Sequence, residues 1–205
     1  MTARPQIQPV YEQLRARILD GSLRQGDDLN ERFVAEWVGT SRTPVREAVA
    51  QLLVDGLAER HGRRTRVTVW DEEKTGQLYE MRAALESEAA RLAAMRRSES
   101  TIMRLEASMA DQKGLTDTSP ILRRDMNFDF HQEIWKASGN PFLVEANHKY
   151  GLQSLSIAPT TLRTDERWAK SLDEHTQLLV HIIAHESAEA AELMRHHLES
   201  AFRQR

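Results

Sequence analysis

The chain has 205 residues, of which 40% are apolar and 29% are charged, and it contains no cysteine. This composition is typical of a globular protein and excludes a disulfide framework and a thiolate metal site. No stretch approaches about 18 consecutive apolar residues, and the N-terminus lacks the apolar core of a signal peptide. We therefore expect a cytoplasmic protein that does not enter a membrane.

The formal net charge of −3 is distributed unevenly along the chain. Residues 1–70 contain 11 arginines, no lysine and 9 acidic residues, whereas residues 71–205 contain 17 basic and 22 acidic residues. Arginine without lysine suits a surface that makes forked contacts to phosphate or guanine. The sequence therefore predicts two domains with different roles, residues 1–70 and residues 71–205.

The first domain begins with two predicted helices. Apolar residues recur every four positions over residues 9–20, which predicts a helix that ends at Gly21. After a polar turn, Asn30 is a good N-cap for a second helix, which ends at Gly39. The expected buried face of this second helix consists of Phe33, Val34, Trp37 and Val38.

A third helix follows after a short turn. Thr40 or Ser41 is expected to cap it with a hydroxyl, and Pro44 falls within its first turn. Its expected buried stripe consists of Val45, Ala48, Val49, Leu52 and Leu53. Arg42 and Arg46 share a different face, which is typical of the recognition helix of a helix-turn-helix protein. The alternative is a surface helix with solvated arginines.

Two short runs, residues 57–60 and 65–69, flank the tetrapeptide His61-Gly62-Arg63-Arg64. Polar and β-branched residues alternate in the second run, and a glycine lies in the turn, which predicts a two-stranded hairpin. An arginine-rich hairpin tip after a recognition helix is typical of a wing that contacts DNA. The alternative is a solvated loop.

Residues 10–69 resemble the winged helix-turn-helix domain of the GntR family of bacterial transcription regulators. The residues that carry the resemblance are Ile18 to Leu23, Gly26 to Glu31, Ser41 to Ala48 and Leu52 to Leu57. One departure is Gln25, where the family usually has proline.

The resemblance implies that the domain binds a double-stranded DNA operator. Arg42 and Arg46 are then expected to contact bases. The residues expected to contact phosphates or the minor groove are Arg32, Ser41, Thr43, His61, Gly62 and Arg63.

The second domain shows helical periodicity and no alternating strand pattern, which predicts an all-α bundle of about six helices. Their expected starts are Asp71, Ser98 or Ser100, Pro120, Pro141, Glu166 and Ser187. The expected apolar face of the first of these helices consists of Leu78, Met81, Leu85, Ala89 and Leu92. The predicted fold class is mainly α, with a winged helix-turn-helix followed by this bundle.

Seven of the eight histidines lie in the second domain. If the helices that carry His131, His175 and His197 are neighbours, three imidazoles meet in the bundle. Asn127 lies four residues before His131, on the same helix face. Three imidazoles and one oxygen form a ligand set for Zn²⁺ or another divalent ion. The alternative is that these histidines are surface or capping residues.

Residues 75–200 are similar to the FCD-type ligand domain of the FadR subfamily. The residues that carry the similarity are Leu78 to Glu86, Phe130-His131, Ala137 to Asn140, Glu174-His175 and His197-Leu198. The family implies a metal bound by an aspartate and three histidines, which fall here on Asn127, His131, His175 and His197. Because Asn127 replaces the aspartate with a neutral amide, the choice between Zn²⁺, Ni²⁺ and Mn²⁺ stays open.

Arg82 is a candidate effector-binding residue, since it can clamp a carboxylate beside the metal. The alternative is a salt bridge with Glu86, four residues later on the same helix. The family resemblance implies a carboxylic acid as the effector.

These features together predict a homodimeric, ligand-responsive transcription regulator that is not an enzyme. One alternative is a metal-dependent hydrolase in which Glu133 or Glu174 serves as the general base. Another is a DNA-binding protein whose bundle only dimerises and takes no effector.

Overall fold

The computed structural model describes residues 4–157 and 160–205. It divides the chain into two compact units. Unit 1 comprises Met1–Glu72 and Leu152–Ala158, and unit 2 comprises Glu73–Gly151 and Pro159–Arg205. The expected domain boundary between residues 70 and 71 stays a prediction, and no pattern in the sequence indicated that residues 152–158 belong to unit 1.

Over the described residues the chain forms nine helices and one two-stranded sheet, which confirms the mainly α fold class. The elements before residue 70 are α1 (Arg4–Leu19), α2 (Glu31–Val38), α3 (Arg42–Asp55), β1 (Ala58–His61) and β2 (Arg64–Val67). The later elements are α4 (Glu72–Arg96), α5 (Glu99–Lys113), α6 (Pro120–Ala137), α7 (Pro141–Leu155), α8 (Asp165–Ile183) and α9 (Ser187–Arg203).

The core of unit 1 forms where α1 packs against α3. Its buried apolar residues are Val10, Leu14, Ile18, Leu29, Val34, Ala35, Val45, Ala48, Val49, Leu52, Leu57, Ala58, Val67 and Leu152. The stripe expected for α3 is buried except Leu53, which is half-buried. Each large aliphatic side chain removed from water in this way stabilises the fold by about 1.5–3 kcal/mol.

The two helices of the helix-turn-helix begin differently. Asn30 Oδ1 accepts hydrogen bonds from the backbone N–H groups of Arg32 and Phe33 at 3.0 and 3.4 Å, which confirms the expected cap of α2. Ser41 stands at the N-cap of α3 but makes no side-chain cap hydrogen bond, so the expected hydroxyl cap is wrong. Pro44 is the third residue of α3 and lacks the N–H that a capping hydroxyl would bind.

The wing is an antiparallel hairpin in which Ala58 pairs with Val67 and His61 pairs with Arg64. Gly62 in the turn has a φ of +61°, which is accessible to glycine at little cost. The linker before α2, expected to be only a polar turn, also pairs with β2. Leu29 N–H donates to the Thr65 carbonyl and Val67 N–H donates to the Asp27 carbonyl, both at 2.9 Å.

Three apolar residues expected on buried faces are instead exposed. Phe33 is 59% exposed and Trp37 is 41% exposed, because the short helix α2 buries Val34 and Ala35 instead. The guanidinium of Arg17 covers the Trp37 ring at 3.7 Å. In unit 2, Met81 is 45% exposed because α4 is turned so that polar residues beside it face the interior.

Unit 2 is a bundle of α4 to α9. Its largest apolar cluster includes Leu105, Phe130, Ile134, Leu178, Ile182, Met194 and Leu198, which come from α5, α6, α8 and α9. The helices pair as α5 with α6, α5 with α8, and α8 with α9. This packing brings the middle of α6, the middle of α8 and the end of α9 together inside the bundle.

Candidate DNA interface and candidate metal centre

Helix α3 presents its two arginines on an exposed face. Arg42 and Arg46 are exposed, whereas Val45 and Val49 on the opposite face are buried in the core of unit 1. The buried face fixes the helix, and the exposed face is open to a partner. Ser41 and Thr43, two other candidate DNA contacts, are also exposed at the start of this helix.

A groove of about 490 Å³ runs between the wing and the starts of α2 and α3 within unit 1. Its lining includes the arginines Arg42, Arg60, Arg63 and Arg64 and the acids Asp28 and Glu31. Arg42 lies 3.7 Å from Glu31, and Arg64 lies 3.8 Å from Asp28. Because both arginine side chains are more than 70% exposed, these ion pairs are weak and a phosphate can replace them.

The remaining candidate DNA contacts lie at exposed positions. Arg32 projects from α2 and lies 3.9 Å from Glu36, and His61, Gly62 and Arg63 form the hairpin tip. Arg60 also lines the groove, although it is not among the contacts expected from the sequence. The four arginines within residues 60–66 are the feature of the sequence that could have indicated Arg60 as a contact.

The three candidate metal ligands of unit 2 meet in a buried cluster. The ring centroids of His131, His175 and His197 lie 5.0–5.3 Å apart, and all three residues are at most 2% exposed. One nitrogen from each ring lies within 4.8 Å of the other two. The alternative of scattered surface or capping histidines does not fit this geometry.

Each ring is held from outside the cluster through its Nδ1 atom. His131 Nδ1 lies 2.6 Å from Glu86 Oε2, His197 Nδ1 lies 2.6 Å from Glu174 Oε2, and His175 Nδ1 lies 3.0 Å from Gln112 Oε1. An acceptor at Nδ1 keeps the proton on that atom and leaves Nε2 with its lone pair. This role of Glu86 and Gln112 was not predicted from the sequence, since they lie 45 and 63 residues from their histidines.

Glu86 is fully buried and makes contacts on three sides. Arg82 donates from Nε to its Oε1 at 3.0 Å, Arg82 Nη2 lies 2.8 Å from the same oxygen, and Trp135 Nε1 donates to its Oε2 at 3.1 Å. Burial alone would raise the pKa of Glu86, but the Arg82 charge and then His131 outweigh it and lower the pKa to about 2. Glu86 is therefore a carboxylate at neutral pH and accepts the proton of His131.

Arg82 forms the salt bridge with Glu86 that the sequence offered as the alternative to effector binding. Arg82 is 7% exposed, and its guanidinium pairs with Glu86 and lies over the Tyr79 ring at 5.1 Å. Arg82 is therefore connected to the histidine cluster by Glu86, which contacts both Arg82 and His131. Direct contact between Arg82 and an effector stays a prediction.

Two histidines of the cluster, His175 and His197, are held in the neutral form. Burial, followed by the charges of the neighbouring groups, lowers the pKa of His175 well below its ordinary value, and burial lowers that of His197 to about 4. Among the described residues, the buried Nε2 atoms of His131 and His175 have no hydrogen-bond partner. Neutral imidazoles with free, inward nitrogen atoms are the form that binds a divalent metal.

Asn127 is half-buried, one turn before His131 on α6. Its Oδ1 accepts a hydrogen bond from Ser171 Oγ at 3.1 Å. The amide oxygen thus already has a partner on α8, and its contact with a metal stays a prediction. The other four histidines of unit 2 lie outside the cluster, at partly or fully exposed positions.

Unit 1 is a winged helix-turn-helix with an arginine-lined groove, and unit 2 is an all-α bundle with a polar centre. This combination defines a DNA-binding regulator with a separate helical domain. Residues 6–67 match the bacterial regulatory proteins of the gntR family, and residues 77–200 match the FCD domain. The chain belongs to the GntR family of bacterial regulatory proteins and carries an FCD domain.

Relatives of the chain are regulators of the same kind. The Uxu operon transcriptional regulator of Escherichia coli K12 is 27% identical over 94% of this chain and 84% of its own length. YdhC of Bacillus subtilis 168, an uncharacterized HTH-type transcriptional regulator, is 29% identical over 71% of this chain. That match spans 62% of YdhC, so the chain covers less than two thirds of this relative.

The chain has a fold similar to that of the solved structure of Escherichia coli McbR/YncC, and the TM-score between the two is 0.78. The two chains are 18% identical, and the match covers 98% of this chain and 95% of the other. The families and relatives are transcriptional regulators and not enzymes, as expected from the sequence. Within residues 4–157 and 160–205, no helix is long and apolar enough to cross a membrane.

Proposed function

We propose that the protein is a homodimeric, cytoplasmic transcription regulator whose affinity for a DNA operator is controlled by an organic acid bound in unit 2. The effector site includes a divalent metal. The observation that carries this proposal is the cluster of three buried imidazoles, each held at Nδ1 by an outer acceptor. A bundle that served only for dimerisation would have no need for unpartnered nitrogen atoms in its core.

On the DNA side, α3 enters the major groove and the wing contacts the neighbouring backbone. Arg42 and Arg46 contact bases, and each bidentate arginine–guanine contact contributes roughly 1–3 kcal/mol of discrimination. The residues that contact phosphates or the minor groove are Arg32, Ser41, Thr43, His61, Gly62 and Arg63. A dimer places two such helices in successive major grooves of a near-palindromic operator.

On the effector side, His131, His175 and His197 bind the metal, and Asn127 is the fourth protein ligand. Zinc is the favoured ion because nitrogen-rich sites of this type suit it, and nickel or manganese are alternatives. A divalent ion supplies a positive charge that binds the carboxylate of an acid. The acid then favours one of two arrangements of the dimer that differ in DNA affinity.

The test is a metal analysis combined with a DNA titration. We expect one zinc per chain in wild-type protein loaded with zinc and desalted, and a clear loss of zinc in His175→Ala. His148→Ala, an exposed histidine outside the cluster, is the control and should retain the ion. The affinity for the DNA upstream of its own gene, followed by fluorescence anisotropy, should change with organic acids only when metal is present. Absence of stoichiometric zinc, nickel or manganese would remove the metal from the proposal.

A further inference from the structure

Helices α6 and α8 carry matching polar residues at four-residue intervals. The polar stripe consists of Arg123, Asn127 and His131 on α6 and of Arg167, Ser171 and His175 on α8. Contacts between the helices follow the same order along both. Ser171 Oγ donates to Asn127 Oδ1 at 3.1 Å, and the rings of His131 and His175 lie 5.3 Å apart.

The arginine end of the polar stripe meets the first turn of α8. Arg123 donates from Nη2 to Asp165 and lies over the Trp168 ring at 5.8 Å. Arg167 is two residues after Asp165 on that turn. Along a helix, the eight residues from Arg123 to His131 span about 12 Å. The stripe therefore joins two arginines at one end to the histidine cluster at the other.

Both arginines are buried with donors that nothing in the described part of the chain satisfies. Arg123 is 4% exposed and Arg167 is 7% exposed, and Nε and Nη1 of each have no hydrogen-bond partner there. Arg167 Nη1 lies 3.7 Å from Glu174 Oε2, which is an ion pair but too long for a hydrogen bond. Asp165, the partner of Arg123, is 85% exposed and is solvated itself.

The buried charges of unit 2, like the unsatisfied arginine donors, indicate a place for an anion. The buried charged residues described in unit 2 are three arginines and two glutamates, namely Arg82, Arg123, Arg167, Glu86 and Glu174. This is an excess of one positive charge. A divalent ion bound by the three imidazoles increases the excess to three. An unbalanced charge is costly in a protein interior, so a bound anion with more than one charge is favoured.

We infer that the effector is a dicarboxylate, with one carboxylate bound by Arg123 and Arg167 and the other directed to the histidine cluster. Arginine forks bind planar carboxylates through two parallel hydrogen bonds, and the free Nε and Nη1 atoms supply the donors. Ser171, between the two ends, contacts the middle of the ligand, and Asn127 remains a ligand of the metal. This inference rests on the proposed effector role of unit 2 and adds the class of acid and the residues that select it.

The test is a calorimetric titration of the zinc-loaded full chain with pairs of acids of equal length. Malonate, succinate, glutarate and adipate are each compared with the monocarboxylate of the same carbon number. We expect one dicarboxylate to bind at least about tenfold more tightly than its partner, since a charged hydrogen-bonded pair contributes at least that factor. Arg123→Gln and Arg167→Gln should each weaken that dicarboxylate by about tenfold or more and change the monocarboxylate less.

Arg195→Gln, at an exposed position of α9, is the matched control and should bind both acids as the wild type does. Arg123→Lys and Arg167→Lys retain the charge without the fork, and they test the site if a glutamine variant does not fold. Equal affinity for both acids in every pair, or glutamine and lysine variants that bind like the wild type, would overturn the inference. If the wild type takes up no metal, the proposed metal centre is wrong, whereas dicarboxylate binding that still depends on both arginines supports the arginine site by itself.

Discussion

The Nδ1 atom of His131 lies 2.6 Å from the Glu86 carboxylate, and that carboxylate is in turn paired with Arg82. This arrangement fixes the ring orientation and the tautomer of His131 from a helix other than its own. Such outer partners raise the basicity of a ligand nitrogen and typically change metal affinity by about 10- to 100-fold.

We therefore predict that Glu86→Gln weakens zinc binding by about 10- to 100-fold, although the substitution leaves all three histidine ligands in place. The amide cannot hold the Nδ1 proton as a carboxylate does, and it leaves the Arg82 charge unpaired in the interior. Competition with a chromophoric chelator measures the change in affinity. Glu88→Gln is the control on the same helix, because Glu88 pairs with Arg91 near the surface. Equal zinc affinity in Glu86→Gln and the wild type would show that Glu86 only stabilises the fold.

The DNA contacts should separate into two kinds. We predict that Arg42→Ala costs about 1–3 kcal/mol on the operator and reduces discrimination against an operator with one changed base pair. Arg63→Ala should weaken binding to all sequences alike and reduce the salt-dependence slope by about 1. Fluorescence anisotropy over a range of salt concentrations measures both, with Arg195→Ala as the control. If Arg42→Ala retains wild-type discrimination, α3 does not read bases through this residue.

Local spacing was sufficient to predict most of the fold. The stripe of α3, the cap at Asn30 and the hairpin around Gly62 each depend on residues close in sequence, and all three are confirmed. The faces of α2 and α4 could not be predicted in the same way, because apolarity alone did not show that Trp37 and Met81 would face outwards. Which face is buried depends on what packs against it.

The histidine cluster could be predicted only in part from the sequence. His131, His175 and His197 lie on three helices, the first two 44 residues apart and the last two 22 residues apart, and no local pattern joins them. The family resemblance selected the three residues, and the structure brings their rings together. Their partners Glu86 and Gln112 lie on two further helices, so neither spacing nor the resemblance indicated them.

Gly56 is the C-cap of α3 and has a φ of +75°. Within unit 1, the side chain of Gln153 lies next to Gly56. A Cβ atom at residue 56 would overlap Nε2 of Gln153, which donates to the Asp55 carbonyl at 2.9 Å. We predict that Gly56→Ala lowers the free energy of unfolding by more than the roughly 1–2 kcal/mol cost of the left-handed conformation. Gly62→Ala is the control, since its φ is also positive but a Cβ atom there would have no described atom within 4 Å apart from its neighbours in the chain. Urea denaturation measures both variants, and equal losses would contradict the proposed clash.

Tyr11 on α1 donates from its hydroxyl to Asp55 Oδ2 at 2.6 Å and so ties α1 to the end of α3. Burial, and then the hydrogen bond and charge of Asp55, raise the pKa of Tyr11 above its ordinary value of 10.0. Because the native state holds the proton more tightly than the unfolded chain, the stabilisation is complete below that value. It is lost as the pH rises through the raised pKa.

We accordingly predict that Tyr11→Phe lowers the free energy of unfolding by about 1 kcal/mol near neutral pH, the typical worth of a half-exposed hydrogen bond. The difference from the wild type should shrink as the pH is raised above 10.0, where the unfolded tyrosine ionises first. Urea denaturation across this pH range measures it. Repeating the substitution in an Asp55→Asn background isolates the pair, and the loss should be smaller there. An equal loss in both backgrounds would assign the effect to packing of the ring and not to the Tyr11–Asp55 hydrogen bond.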